Sequence, residues 1–322
     1  MKNILIVKTG AMGDVLRTTV IITGLLEKYK SAKITWFTSQ IATPLLKNNH
    51  EIKLVTKIKE LSKNNWDWII CLEEDKTLLK ALSKLKFKKI SGTYYFNGIK
   101  YTKDSRHWYD MSLISVYGKK KADELKKKNK KSYPEILYKI LKLKWNKQKY
   151  LYNLPTKNSS YVNKIKKNIS KTKILGLVIG SGSRWPMKAL PEDKLINLIK
   201  SIPNNYEIII LQGPEEKVIG QKIKKTFPYL IFPKICSINE FAQIVNLCDT
   251  IITPDSLPMH IAIALNKKVI AYFTVTSAEE IEIYNGKKIK AKHKDYCTYI
   301  KENKKRPNIT DKINIKEIIC EL

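Results

Sequence analysis

Apolar residues in this chain come in short runs separated by amphipathic stretches. Residues 4–7 are continuously apolar over a strand's length, the form a parallel strand takes when both faces are covered. The spacing predicts a helix over 15–29, strands over 34–37 and 68–72, and a helix over 78–85. Residues 94–145 read as helical and basic, and 150–173, rich in Asn, Ser and Lys, as a linker region. The pattern then restarts. A strand over 174–179 runs into Gly180-Ser181-Gly182-Ser183, a helix follows over 191–202, and a strand over 208–211 enters Gly213-Pro214-Glu215-Glu216. Ser237-Ile238-Asn239-Glu240 is a capping box for a helix ending at Leu247. A strand over 250–253, a helix from Asp255-Ser256 through Leu265 and a strand over 269–273 complete the series. Alternation of this kind predicts an α/β protein with two doubly wound parallel-sheet halves facing a central cleft.

Composition narrows the class. A chain of 322 residues buries roughly 75% of its extended surface, enough for a core split between two domains. Hydrophobic content of 43%, charged content of 28% and only 12 Gly and 12 Pro exclude collagen-like, low-complexity and disordered readings. No apolar run reaches the length of a membrane span. The first residues show no signal-peptide pattern, so a cytoplasmic location is expected. Five cysteines (Cys71, Cys236, Cys248, Cys297, Cys320) without a Cys-x-x-Cys give no sign of a disulfide framework or structural zinc.

The net charge is +32, yet only four of the 61 basic residues are Arg (Arg17, Arg106, Arg184, Arg306). Arg supplies the planar fork that reads phosphate and guanine, so the lysine excess reads first as a compositional bias. One segment exceeds the average. Residues 119–149 hold thirteen Lys against three acids. Within it Ser132-Tyr133-Pro134-Glu135 forms a capping box for a helix with Ile136, Leu137, Ile140 and Leu141 on one side. It is either a solvated face or a docking surface for an anionic, membrane-held partner.

The candidate chemistry sits where strands end and helices begin. Gly10-Ala11-Met12-Gly13-Asp14 follows the first strand and matches neither Gly-x-Gly-x-x-Gly nor a Walker loop. Asp14 is either a helix N-cap or a proton acceptor. Asp255-Ser256-Leu257-Pro258-Met259-His260 places Pro near the first helical position. The backbone N–H groups there form an anion site to which Ser256 and His260 can add donors. Lys188 could neutralise the same anion, and Glu216, beyond a strand end, could accept hydrogen bonds from ribose hydroxyls. The plainer readings are a buried helix histidine, a solvent-facing lysine and a first-turn acid. No Asp-x-Asp, His-Glu-x-x-His or Cys/His cluster presents a metal site.

The ordered set of Gly-x-x-Gly-Asp after strand one, Trp-Pro-x-Lys-x-x-Pro over 185–191, Gly-Pro-Glu-Glu and Asp-Ser-x-Pro-Met-His resembles the heptosyltransferases of glycosyltransferase family 9. The resemblance implies the GT-B fold, two Rossmann-like domains with the donor nucleotide in the C-terminal one, and no metal. It implies Asp14 as catalytic base, Lys188 and Ser181 as diphosphate contacts and Glu216 as the ribose acid. Asp255, Ser256 and His260 would form the donor-sugar and phosphate loop, and Cys236 would lie against adenine. Leu257 stands where the family usually has Gly, which leaves the donor sugar open.

The expected domains are 1–155 on the acceptor side, a linker over 156–173, a nucleotide-sugar domain over 174–308, and a C-terminal helix over 309–322 packing back on the first domain. The expected activity is inverting, metal-independent transfer of a sugar, heptose from ADP-heptose foremost, to a lipopolysaccharide or lipooligosaccharide core. The acceptor, an anionic lipid-linked saccharide, would meet Arg106, His107 and Trp108 and the basic segment. That geometry would put the enzyme in peripheral contact with the cytoplasmic face of an anionic inner membrane. Two alternatives stay open: a GT-B enzyme with another nucleotide-sugar donor or epimerase activity, and a polyanion-binding or nucleic-acid-binding protein, although no specific nucleic-acid reader motif is present.

Overall fold

The computed structural model describes residues 1–109, 113–299 and 309–322; Arg306 and the expected domain end at 308 lie outside the described residues. The chain divides into two compact units, Met1–Asn153 and Leu154–Leu322.

In the first unit six strands form one sheet in the order Ile52–Val55, Lys33–Phe37, Asn3–Val7, Trp68–Cys71, Ile90–Tyr95, Ile99–Tyr101. All neighbours are parallel except the last pair, an antiparallel hairpin. The chain steps outward from Asn3–Val7 to one edge and then returns to its other side at Trp68–Cys71. Such a reversal leaves a crevice beyond the carboxyl ends of the two central strands. Ile4, Leu5, Ile6 and Val7 are fully buried, which is why this strand is apolar throughout. Leu5, Val7, Ile69 and Cys71 share a core with Leu79, Leu82 and Trp66.

Expectation and structure part in three places here. The helix expected over 15–29 is two helices, Met12–Thr18 and Val20–Lys28. Thr18 Oγ1 donates to the Asp14 carbonyl at 2.6 Å and Thr19 Oγ1 to the Leu16 carbonyl at 2.6 Å; back-bonding hydroxyls of this kind bend helices. The stretch 94–145 holds the end of strand Ile90–Tyr95, a turn with Asn97 and Gly98 both at positive φ, and strand Ile99–Tyr101 before its helices begin. Those helices are Arg106–Tyr109, Ile114–Lys128, which is broken at Gly118 by a φ of +76°, and Tyr133–Ile140, the last capped by Ser132 Oγ accepting from Glu135 N. The region read as a linker contains helix Ser160–Lys167, capped by Ser159.

The second unit carries an all-parallel sheet in the order Tyr206–Leu211, Lys173–Val178, Thr250–Pro254, Lys268–Phe273, Gly286–Lys290. Its order reverses between Lys173–Val178 and Thr250–Pro254, and a bridge from Ile209 to Ile231 extends the far edge. The capping box at Ser237 is complete, with Ser237 and Glu240 each bonding the other's backbone N–H. The C-terminal helix Ile315–Ile319, expected on the first domain, packs instead on helix Glu192–Ser201 of the second unit. Ile309, Ile313 and Ile318 fill that unit's core, and Tyr206 OH donates to the Leu322 carbonyl at 2.7 Å.

Candidate functional site

In the first unit Asp14 lies in the first turn of Met12–Thr18, while the cap position belongs to Ala11. Asp14 Oδ1 is 2.9 Å from Arg17 Nη2, one turn on. The Arg17 guanidinium lies 3.9 Å above the Tyr133 ring, and Tyr133 OH is 3.4 Å from Thr18 Oγ1. Burial raises the pKa of the Tyr133 phenol above its ordinary value, against the opposing pull of Arg17 and Lys8. The short helix Arg106–Tyr109 packs on helix Tyr133–Ile140. Arg106, His107 and Trp108 therefore sit beside the helix that carries the Arg17 platform; Arg106 is exposed, and His107 and Trp108 are half-buried.

Two residues not anticipated as functional occupy the reversal point of this sheet. Lys8 Nζ is 3.0 Å from Glu73 Oε1. The same oxygen accepts from Thr9 N at 2.6 Å and Gly10 N at 2.9 Å. Burial alone would lower the Lys8 pKa, but Glu73 and then Asp14 outweigh it and raise it above the usual lysine value.

In the second unit the two halves of the expected donor site have distinct supports. The loop after Lys173–Val178 is held by Glu216. Its Oε1 accepts from Gly182 N at 2.8 Å and its Oε2 from Gly213 N at 2.9 Å, while Glu215 accepts from Ser183 N. Ser181 Oγ donates to the Trp185 carbonyl at 3.0 Å. Gly182 takes φ +74°, a conformation that favours glycine. The second half is polar and nearly sealed. Lys188 Nζ is 2.9 Å from Asp255 Oδ2 and 3.0 Å from the Asp255 carbonyl. His260 Nε2 lies 3.9 Å from Asp255 Oδ1. Burial works to raise the Asp255 pKa; Lys188, His260 and Thr276 outweigh it and hold the carboxyl well below the usual carboxylate range.

Ser256 stands at the head of helix Leu257–Ala264 without capping it. Its Oγ donates to the Pro254 carbonyl at 3.2 Å. The backbone N–H groups of the first turn are left unspent by any capping side chain, as an anion site requires. Leu257 takes no positive φ, so a Cβ is tolerated where the family usually has Gly. Cys236 precedes the helix Ile238–Leu247, which packs on Leu257–Ala264. It is half-buried, and burial pushes its thiol up to about 11. The structure thus joins Lys188, Asp255 and His260 directly, and couples Glu216 to the Gly180–Gly182 loop. Among the described residues no group of three or more His, Cys, Asp or Glu side chains could hold a metal ion.

Two doubly wound parallel-sheet units, each with a glycine loop after its first strand, are the GT-B type of fold. A profile of glycosyltransferase family 9 (heptosyltransferase) matches residues 112–311, and the chain belongs to that family. The lipooligosaccharide heptosyltransferase 2 of Haemophilus influenzae is 24% identical over 177 residues, 47% of this chain; the match spans about half, 50%, of that curated relative's length. Among solved structures, a family 9 glycosyl transferase from Veillonella parvula is similar with a TM-score of 0.75 and 15% identity, covering 99% of this chain and 95% of that one. An ADP-heptose lps heptosyltransferase II from E. coli is similar with a TM-score of 0.68 and 14% identity, covering 100% and 97%. At these identities the structural likeness bears on the fold.

Proposed function

We propose that this protein is an inverting glycosyltransferase that moves heptose from ADP-heptose to an anionic, lipid-linked core saccharide without a metal ion. The observation that carries the reading is the group at the carboxyl ends of Lys173–Val178 and Thr250–Pro254. There a lysine with a side chain only 15% exposed, a serine and an uncapped helix start stand together at the sheet's reversal point. In an open parallel sheet this is where a nucleotide diphosphate is bound.

The residues divide the work as follows. Glu216 accepts from the ribose hydroxyls, and Cys236 lies against the adenine. Asp255 and His260 hold the donor sugar and orient Lys188. Asp14 accepts the proton of the acceptor hydroxyl as its oxygen bonds to the anomeric carbon. The bond from that carbon to the diphosphate breaks on the opposite face, which inverts the centre. Charge grows on the departing oxygen, where Lys188, Ser181, Ser256 and the start of helix Leu257–Ala264 stabilise it. Preorganised donors of this kind replace the work of a divalent cation, each contributing on the order of 10²–10³ in rate. Arg106, His107 and Trp108 face the acceptor, and the basic segment 119–149 draws the protein to the cytoplasmic face of an anionic membrane.

Calorimetric titration with ADP, UDP and GDP, followed by ADP-heptose, tests the donor. ADP should bind at least tenfold more tightly than the others, and nucleotide release should depend on acceptor. A preference for UDP or GDP, or turnover of the sugar without an acceptor, would move the assignment to another donor or to an epimerase.

A further inference from the structure

The reversal point of the first sheet is occupied by the protein itself. Lys8 and Glu73 extend the two central strands, Asn3–Val7 and Trp68–Cys71, and meet there with side chains only 11% and 13% exposed. One carboxylate oxygen, Glu73 Oε1, receives Lys8 Nζ and the N–H groups of Thr9 and Gly10. In a nucleotide-binding unit those loop N–H groups would face the ligand's phosphate; here they are already spent.

The surroundings hold the pair in place. Lys8 Nζ also donates to the Leu72 carbonyl at 3.2 Å. Thr93 Oγ1 donates to the Glu73 carbonyl, and Ser39 Oγ to the Thr9 carbonyl at 2.9 Å. The next residue, Ala11, has φ +35°, a conformation an L side chain adopts only where its neighbours enforce it. Ala11 opens the helix that bears Asp14 in its first turn.

The second unit differs. Its loop carboxylate, Glu216, follows the neighbouring strand Tyr206–Leu211. Its reversal point is therefore left to Lys188, Asp255 and Ser256.

We propose that Glu73 is a positioning residue for Asp14: its carboxylate clamps the first loop, fixes the Ala11 conformation and so sets the aim of the base. The proposal rests on Asp14 being the base. Released from the clamp, Ala11 would relax and the first helical turn would shift. A displacement of about 1 Å at a reacting group costs on the order of 10² in rate.

The test compares Glu73→Leu with Glu73→Gln, whose amide oxygen can still accept from Thr9 and Gly10. Transfer rate, ADP affinity and hydrogen exchange of the 9–11 amides are measured on each. We expect kcat to fall about 100-fold in Glu73→Leu, with ADP affinity within twofold of wild type and fast exchange at 9–11. Glu73→Gln should recover most of both losses. Because Glu73→Leu strands the Lys8 charge, Lys8→Met/Glu73→Leu is made beside it and should fold and remain slow.

A well-folded double variant with more than half the wild-type kcat, or with unchanged protection at 9–11, overturns the proposal. Equal losses of kcat and ADP affinity would do the same, since they would mark general unfolding. Asp14→Asn, run in parallel, separates the two claims. If it is inactive while the Glu73 variants are not, only the clamp fails. If it is active, the base assignment fails, and the exchange data still decide the clamp.

Discussion

Lys188 and Asp255 meet twice, through the Asp255 carboxylate at 2.9 Å and its backbone carbonyl at 3.0 Å, with side chains only 15% and 13% exposed. The pair anchors the 3₁₀ turn Pro186–Lys188 to the start of helix Leu257–Ala264. Removing one partner of a buried pair leaves the other charge uncompensated and typically costs about 3–5 kcal/mol. Lys188→Met should therefore destabilise the protein by about 3 kcal/mol in urea unfolding at pH 7.

The sign of the pH dependence follows from the depressed Asp255 pKa. The contribution is fully present above the unfolded-state value of about 4 and is lost as pH falls below it toward the lower folded value. Stability of the wild type should drop between about pH 4 and pH 2 more steeply than that of Lys188→Met. Parallel curves for the two proteins would remove the pair from this role.

A methyl group at Gly180 would overlap the Glu216 side chain, reaching its Cγ and Oε1. Gly180 has no positive φ, so the backbone tolerates alanine and the flexible glutamate must yield. Gly180→Ala should keep the melting temperature within a few degrees while weakening ADP binding about tenfold, equivalent to about 1.4 kcal/mol. Calorimetry reads this directly, and unchanged affinity would detach Glu216 from nucleotide binding.

Tyr138 OH donates to the Val20 carbonyl at 2.7 Å and accepts from Gly24 N at 3.1 Å. This ties helix Tyr133–Ile140 to helix Val20–Lys28. A Cβ at Gly24 would lie 2.6 Å from the fully buried Tyr138 ring. Gly24→Ala should cost about 1–3 kcal/mol through overpacking. Tyr138→Phe, which removes the hydroxyl that bonds Val20 O and Gly24 N, should cost about 1 kcal/mol. Thermal unfolding of the two variants checks this, and neutral substitutions would mean the helices are held by other contacts.

If the basic segment meets an anionic surface as proposed, each lysine near the membrane is worth about 1 kcal/mol, an attraction that salt screens. Binding to phosphatidylglycerol vesicles should be strong at 50 mM salt and largely lost at 500 mM, and replacing Lys119, Lys120 and Lys121 by Gln should weaken it. Salt-independent binding would point to apolar insertion instead.

What could be read from the chain beforehand follows a physical divide. Buried central strands such as Trp68–Cys71, buried at every position, announce themselves as apolar runs. Exposed edge strands do not: Gly286–Lys290, with one buried residue in five, looks like a polar loop, and Ile52–Val55 carries a lysine between its apolar residues. The hairpin around Asn97-Gly98 carries an Asn-Gly turn signal that the surrounding lysines and aromatics obscured. In the site, Asp14, Lys188, Asp255 and His260 stand out because they lie at strand-to-helix junctions. Lys8 and Glu73 do not, because their meeting spans 65 positions of chain and a single lysine among 57 has no local signature. Arg17 was within reach, since it lies one helical turn from Asp14, but its stacking on Tyr133 depends on tertiary packing.

The proposed division of labour, a proton acceptor in the first unit and donor binding in the second, is open to direct measurement. It is tested most directly by measuring transfer from ADP-heptose and ADP affinity on wild type and Asp14→Asn. We expect a fall in kcat of about 10²–10⁴ with ADP affinity within twofold of wild type. A variant that keeps more than a tenth of the wild-type rate would contradict it.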